Sequence, residues 1–94
     1  MAWAPKDPEE KFALRFDFSS ELSVITNAEI IVELKRGVDD DPDNILNGPL
    51  EISGASVLQR VKEGVNKCSY KFRCVASDGV ETWVITQELP VRVK

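Results

Sequence analysis

The chain has no histidine among its 94 residues. Proton transfer or nucleophile activation near neutral pH would therefore fall to carboxylates, thiols or lysines. The densest group of such side chains is Asp39, Asp40, Asp41 and Asp43. Asp39, Asp41 and Asp43 alternate, which suggests a calcium loop. Calcium takes about six to eight oxygens, and a dedicated loop normally closes on a distal bidentate Glu. A helix–loop–helix calcium loop starting at Asp39 would need Gly at its sixth position and Glu at its twelfth. Asn44 and Leu50 stand there instead. The three aspartates are weak metal candidates, and the expected state is a solvated, mobile acidic loop over 38–48 that buries nothing.

Other constellations yield less. Glu29 and Glu33 lie on the polar side of one predicted strand, about 13 Å apart at about 3.3 Å per residue, too far for a joint acid–base site. Cys68 and Cys74 fall in another predicted strand, roughly 20 Å apart by the same rise. A disulfide needs Cα atoms within about 7 Å, so that strand excludes an intrachain bridge. Both cysteines share the even-numbered phase of Tyr70 and Phe72 and read as small buried hydrophobes. Lys67, Lys71 and Arg73 fall in the opposite phase and read as solvated. No catalytic residue, cofactor or enzymatic activity is expected.

The elements that would carry these residues are strands. Asp78-Gly79 separates two alternating runs, 68–76 and 80–93, rich in β-branched and aromatic residues. That is a hairpin signal, because Gly takes the positive φ of a tight turn without strain. Phe12, Leu14, Phe16 and Phe18 share one face of a first strand. The segment 19–27 is polar, with Val24 and Ile25 as candidates to tuck inward. Ile30, Val32 and Leu34 mark the next strand over 28–35, and its three consecutive β-branched residues disfavour a helix. Short strands follow at 50–53 and 56–62, the second with Val57, Gln59 and Val61 on one face. Trp83, Ile85, Leu89, Val91 and Val93 share the core-facing phase of the last strand. Pro90 marks that strand as an edge, a bulge or a strand that changes sheets. Residues 1–10 read as an arm, because Pro5 and Pro8 oppose regular pairing; residues 11–94 read as one domain. On that arm Trp3 either folds back onto the domain or anchors a neighbouring subunit.

About seven strands with frequent turn signals predict an all-β, immunoglobulin-like β-sandwich. Gly64 followed by Tyr70 echoes the tyrosine corner of such domains. Twelve basic and sixteen acidic residues give a net charge of −4. Removing Asp39, Asp40, Asp41 and Asp43 leaves twelve against twelve, so the body is neutral. A neutral body argues against nucleic-acid binding. No stretch approaches the roughly 20 apolar residues that would span a bilayer as a helix, and the opening residues lack the features of a signal peptide. Cytoplasmic synthesis without a membrane partner is the expectation.

Read whole, the chain resembles a family of small tailed-bacteriophage structural proteins, the fibre-tail adaptor or neck-associated immunoglobulin-like domains. The opening Trp3-Ala4-Pro5-Lys6-Asp7-Pro8-Glu9 resembles the family's Lys-Asp-Pro start and leads into Phe16-Asp17-Phe18-Ser19. Tyr70-Lys71-Phe72-Arg73-Cys74-Val75 resembles its Tyr-x-apolar strand, followed by a turn at Gly79. Leu89-Pro90-Val91-Arg92-Val93 resembles its final strand. The family's middle strand usually carries a Trp, which 28–34 lacks, and 39–48 looks like an insertion. The resemblance implies a non-catalytic virion component, made in the host cytoplasm and assembled in copies at the head–tail or tail–fibre junction, where a ring or a collar of copies is the candidate oligomer. Its partners would be connector, tail or fibre proteins, contacted through Trp3, Pro5, Lys6, Asp7 and Pro8. The competing reading is a carbohydrate- or protein-binding β-sandwich module of a bacterial surface protein.

Overall fold

A computed structural model describes residues 2–94. Six strands form: β1 Phe12–Asp17, β2 Asn27–Arg36, β3 Glu51–Ser53, β4 Ser56–Val61, β5 Ser69–Ser77 and β6 Thr82–Pro90. They pair into two three-stranded antiparallel sheets, ordered β1-β4-β3 and β2-β5-β6. These orders match the B-E-D and C-F-G strands of an immunoglobulin-like sandwich. Two parallel bridges, Ala2 to Glu88 and Lys6 to Val91, add the arm to β6 as a seventh extended segment.

Alternation decides which side chains meet between the sheets. Tyr70, Phe72, Cys74 and Ala76 of β5 are buried, as are Leu14 and Phe16 of β1 with Phe18 just beyond it. Val57, Gln59 and Val61 of β4 complete the facing layer. Gln59 is tolerated there because its amide donates to the carbonyls of Gly48 and Arg60 at 3.1 and 2.8 Å. Each fully buried aliphatic or aromatic side chain contributes about 1.5–3 kcal/mol of transfer free energy. Phe12 shares the inward phase but is exposed, because it stands at the rim of the sandwich. Of the candidate pair in the 19–27 segment, Ile25 is buried and Val24 exposed.

The expected β5–β6 hairpin forms, with Ser77 opposite Thr82 around the four-residue loop 78–81. Gly79 takes φ +95° there. The Asp78 carboxylate accepts the Val80 and Glu81 N–H groups at 2.8 and 2.7 Å, which holds its pKa below the ordinary value. Gly37 ends β2 at φ +91°, where a Cβ would collide with the Cys68 sulfur. Pro90 lies on an edge strand, where a missing N–H costs no ladder bond within the sheet.

Candidate functional site

The arm is docked, which corrects the expectation that Pro5 and Pro8 hold it outside the sheet. Trp3 N–H donates to the Glu88 carbonyl and Lys6 N–H to the Pro90 carbonyl, both at 2.9 Å. Arg92 N–H returns a bond to the Lys6 carbonyl at 2.8 Å. The prolines do not block this ladder because neither supplies one of its donors. Trp3 folds back onto its own domain. Its ring meets Phe16 of one sheet at 5.4 Å and Phe72 of the other at 5.7 Å, edge-on in both cases. The side chain that joins the sheets thus comes from the arm, whereas immunoglobulin domains draw theirs from a middle strand.

Lys6 is 0% exposed. Its ammonium donates to the carbonyls of Glu63 at 2.6 Å, Asp7 at 2.9 Å and Pro8 at 3.4 Å. Burial lowers its pKa, against the opposing pull of Glu10, Asp7 and Glu63. Such a lysine is a clasp between the arm and the β4–β5 turn and offers nothing to a partner. Asp7 accepts the N–H groups of Lys94 at 2.8 Å and Glu9 at 2.9 Å, which lowers its pKa. Of the five arm residues expected to meet a partner, Lys6 is sealed and Trp3 is half-buried in the core. Pro5 is exposed, and Asp7 and Pro8 are partly so.

The acidic loop is also more structured than its composition suggests. Pro42–Ile45 forms a short 3-10 helix, and Ile45 is 1% exposed within the core. Tyr70 O–H donates to Asp39 Oδ2 at 2.6 Å and accepts Val65 N–H at 2.9 Å. That is the tyrosine corner hinted at by Gly64 and Tyr70, extended to reach the loop. Burial, then the bond to Asp39, raises the Tyr70 pKa. The expectation of a mobile loop that buries nothing is therefore corrected: one aspartate and one isoleucine secure its two ends. Asp39 is committed to Tyr70, Asp41 N–H donates to Asp39 Oδ1 at 3.0 Å, and Asp43 lies in the 3-10 helix. Among the described residues, no group of three or more Asp, Glu, Cys or His side chains is arranged to hold a metal ion.

Both thiols are free and buried. Burial pushes Cys74 up to about 12, so it stays protonated and inert at neutral pH. Cys68 donates weakly to the Val38 carbonyl at 3.5 Å. Beside it lies a groove of about 530 Å³ whose walls include Arg36, Lys67 and Arg92. None of these cations belongs to an ion pair among the described residues.

Apolar side chains are exposed along the β5–β6 hairpin. Val80 at its tip is 91% exposed, and Trp83 and Val84 behind it are 44% and 42% exposed. Trp83 does lie in the inward phase, opposite Ala76. It is nonetheless exposed, which corrects its reading as a core residue. Its indole N–H donates to Glu81 at 3.2 Å. Comparison with protein-family models, curated proteins and solved structures found no match. The site is thus described by its own geometry: a rigid sandwich presenting an apolar hairpin beside an open strand edge.

Proposed function

We propose that the chain is a non-catalytic structural protein of a tailed-phage virion, acting as an assembly adaptor at the head–tail or tail–fibre junction. The observation that carries the interaction role is the exposed run Val80, Trp83 and Val84 on a strand edge. Trp83 and Val84 lie on opposite faces of β6, and exposed apolar side chains flanking an unpaired strand edge favour a contact by strand addition. The virion assignment is supported by the ordered resemblance of the opening segment, the Tyr70 strand and the closing strand. Partners are other virion proteins, and no nucleic acid or membrane is invoked. The arm now supports this role indirectly, by completing the sandwich that presents the hairpin.

Removing the gene from its phage tests the reading. Particles lacking a normal neck, tail or fibre attachment are expected, and fully infectious particles of normal form would refute it. A second reading, a carbohydrate-binding module of a bacterial surface protein, is favoured by Trp83 alone, since sugars stack on exposed aromatic faces. A glycan array separates the two: binding abolished by Trp83→Ala would support the sugar reading.

A further inference from the structure

The sandwich has four outer strands, and three of them carry a device that discourages edge-to-edge pairing. β3 is three residues long and includes Glu51. β1 carries Arg15 and Asp17. β2 carries Glu29, Glu33, Lys35 and Arg36, with the 3-10 helix beside it. β6 is protected only in its second half, where the arm bonds to Glu88 and Pro90. Its first half, Thr82-Trp83-Val84-Ile85-Thr86-Gln87, has no charge, no proline and no glycine, and pairs with β5 in unbroken register.

The direction of the free backbone groups follows from the arm. Glu88 and Pro90 turn their carbonyls to the arm. Val91 turns both its N–H and its carbonyl to the β5 side, bonding Cys68 and Lys67 at 2.8 Å. Alternation then aims the N–H and C=O groups of Thr82, Val84 and Thr86 out of the sheet. None of their N–H groups has a partner among the described residues.

We propose that this half-edge is the docking site for β6 of a second copy of the chain, antiparallel, about a two-fold axis through Val84. The proposal rests on the hairpin being an interaction surface, and names its occupant. The sequence around Val84 is self-complementary in that register. Thr82 meets Thr86, Trp83 meets Ile85 and Val84 meets Val84. Thr–Thr and aromatic–β-branched pairs are favourable cross-strand neighbours. The three outward residues form hydrogen-bonded pairs with Cα atoms about 5.5 Å apart, giving about six new backbone bonds. The arm stops the ladder at Glu88, so the pairing is short and the joined sheet has six strands. Trp83, stranded at the end of its own sandwich, is covered by Ile85 of the second copy. An isologous contact of this kind closes on itself and yields a dimer.

Sedimentation velocity on the whole chain from about 5 to 500 µM tests this, a range suited to a small reversible interface. The expected result is a monomer–dimer equilibrium, with Thr82, Val84 and Thr86 amides gaining hydrogen-exchange protection as concentration rises. Val84→Lys places two like charges together at the axis. It should weaken the dimer at least about tenfold while leaving the circular dichroism spectrum intact. Val84→Glu alone should be equally monomeric, and an equimolar mixture with V84K should dimerise again. A monomer at 500 µM, a dimer indifferent to V84K, or a mixture that stays monomeric overturns the proposal. The gene-removal experiment is independent: normal particles with an intact β6 dimer would refute the virion role alone.

Discussion

Replacing Tyr70 by Phe removes one oxygen and leaves the ring, so no cavity forms and the cost measures hydrogen bonding. Two bonds go. The one to the Asp39 carboxylate, at 2.6 Å, is of the charge-assisted kind that contributes about 1.5–3 kcal/mol. The one from Val65 N–H, at 2.9 Å, contributes about 0.5–1.5 kcal/mol. Asp39 is only partly buried and can turn to water, which returns part of the loss. The expected net cost is about 2–3 kcal/mol, a large fraction of the 5–15 kcal/mol or so that holds a domain of this size. Urea denaturation of Tyr70→Phe, Asp39→Asn and the double variant measures it. Asp39→Asn alone should cost about 1 kcal/mol, with a coupling of about 1–2 kcal/mol between the sites. Hydrogen exchange should show faster opening at 39–45 in Tyr70→Phe and no change along β1. A cost below about 0.5 kcal/mol with no coupling would show that Tyr70 fills space without tethering the loop, and the reasoning would fail.

Three further outcomes follow from the same contacts. Cys74 is held protonated to about pH 12 in the folded chain, whereas an unfolded thiol ionises near pH 8.5–9. The unfolded state alone therefore releases a proton between these values. Through Cys74 stability should fall as pH rises from about 9, by up to about 4 kcal/mol at pH 12, and Cys74→Ala should reduce that slope in chemical denaturation, the raised Tyr70 pKa leaving a remainder above about pH 10. Neither buried thiol should react with a thiol dye at neutral pH until denaturant is added. Lys6→Met keeps the stem and loses three carbonyl contacts; it should cost about 1–3 kcal/mol and release the arm to proteolysis, and an unchanged digestion pattern would contradict the clasp. Deleting Asp39–Asp43 should lower the melting temperature by several degrees, about 4–8 °C per kcal/mol, because it removes the Tyr70 tether and strains the approach to Ile45; an unaltered melt would restore the free-loop picture.

The strands were legible because alternation along a chain records burial on one face. Leu14 and Phe16, the β4 trio and the β5 quartet were all readable in this way. What alternation cannot carry is the extent of the opposite sheet. Trp83 and Phe12 hold the inward phase yet stand where nothing covers them. The arm's docking leaves no local pattern in the sequence, because its parallel pairing joins residues more than 80 apart, and proline forbids only its own N–H, not pairing by its neighbours. The loop's order is hidden from local sequence because four aspartates set its composition while its tether, Tyr70, lies 31 residues away from Asp39. Gly64 and Tyr70 did carry a signal for that tether, and it pointed to the corner without naming its third member. The self-complementary run about Val84 was present in the sequence too, but it acquires meaning only once β6 is known to be an outer strand.

Trp3 lies between the sheets while its backbone bonds to Glu88, and this sets the order in which the molecule can be finished. In vectorial synthesis Trp3 and Lys6 cannot find their seats until β6 has been made. Between the making of the arm and that of β6, the growing chain carries an exposed tryptophan and an unsealed interior. Contacts between segments so far apart in sequence close slowly, since the segments must meet before any of their bonds reward the meeting. The β5–β6 hairpin, by contrast, is local and can form early, with its entire outer edge bare until the arm arrives. Completion of the fold thus shortens the edge available to neighbours. A chain lacking residues 2–6 would present a longer and stickier strand than the folded domain does, and aggregation rather than simple unfolding is how such a deletion would announce itself.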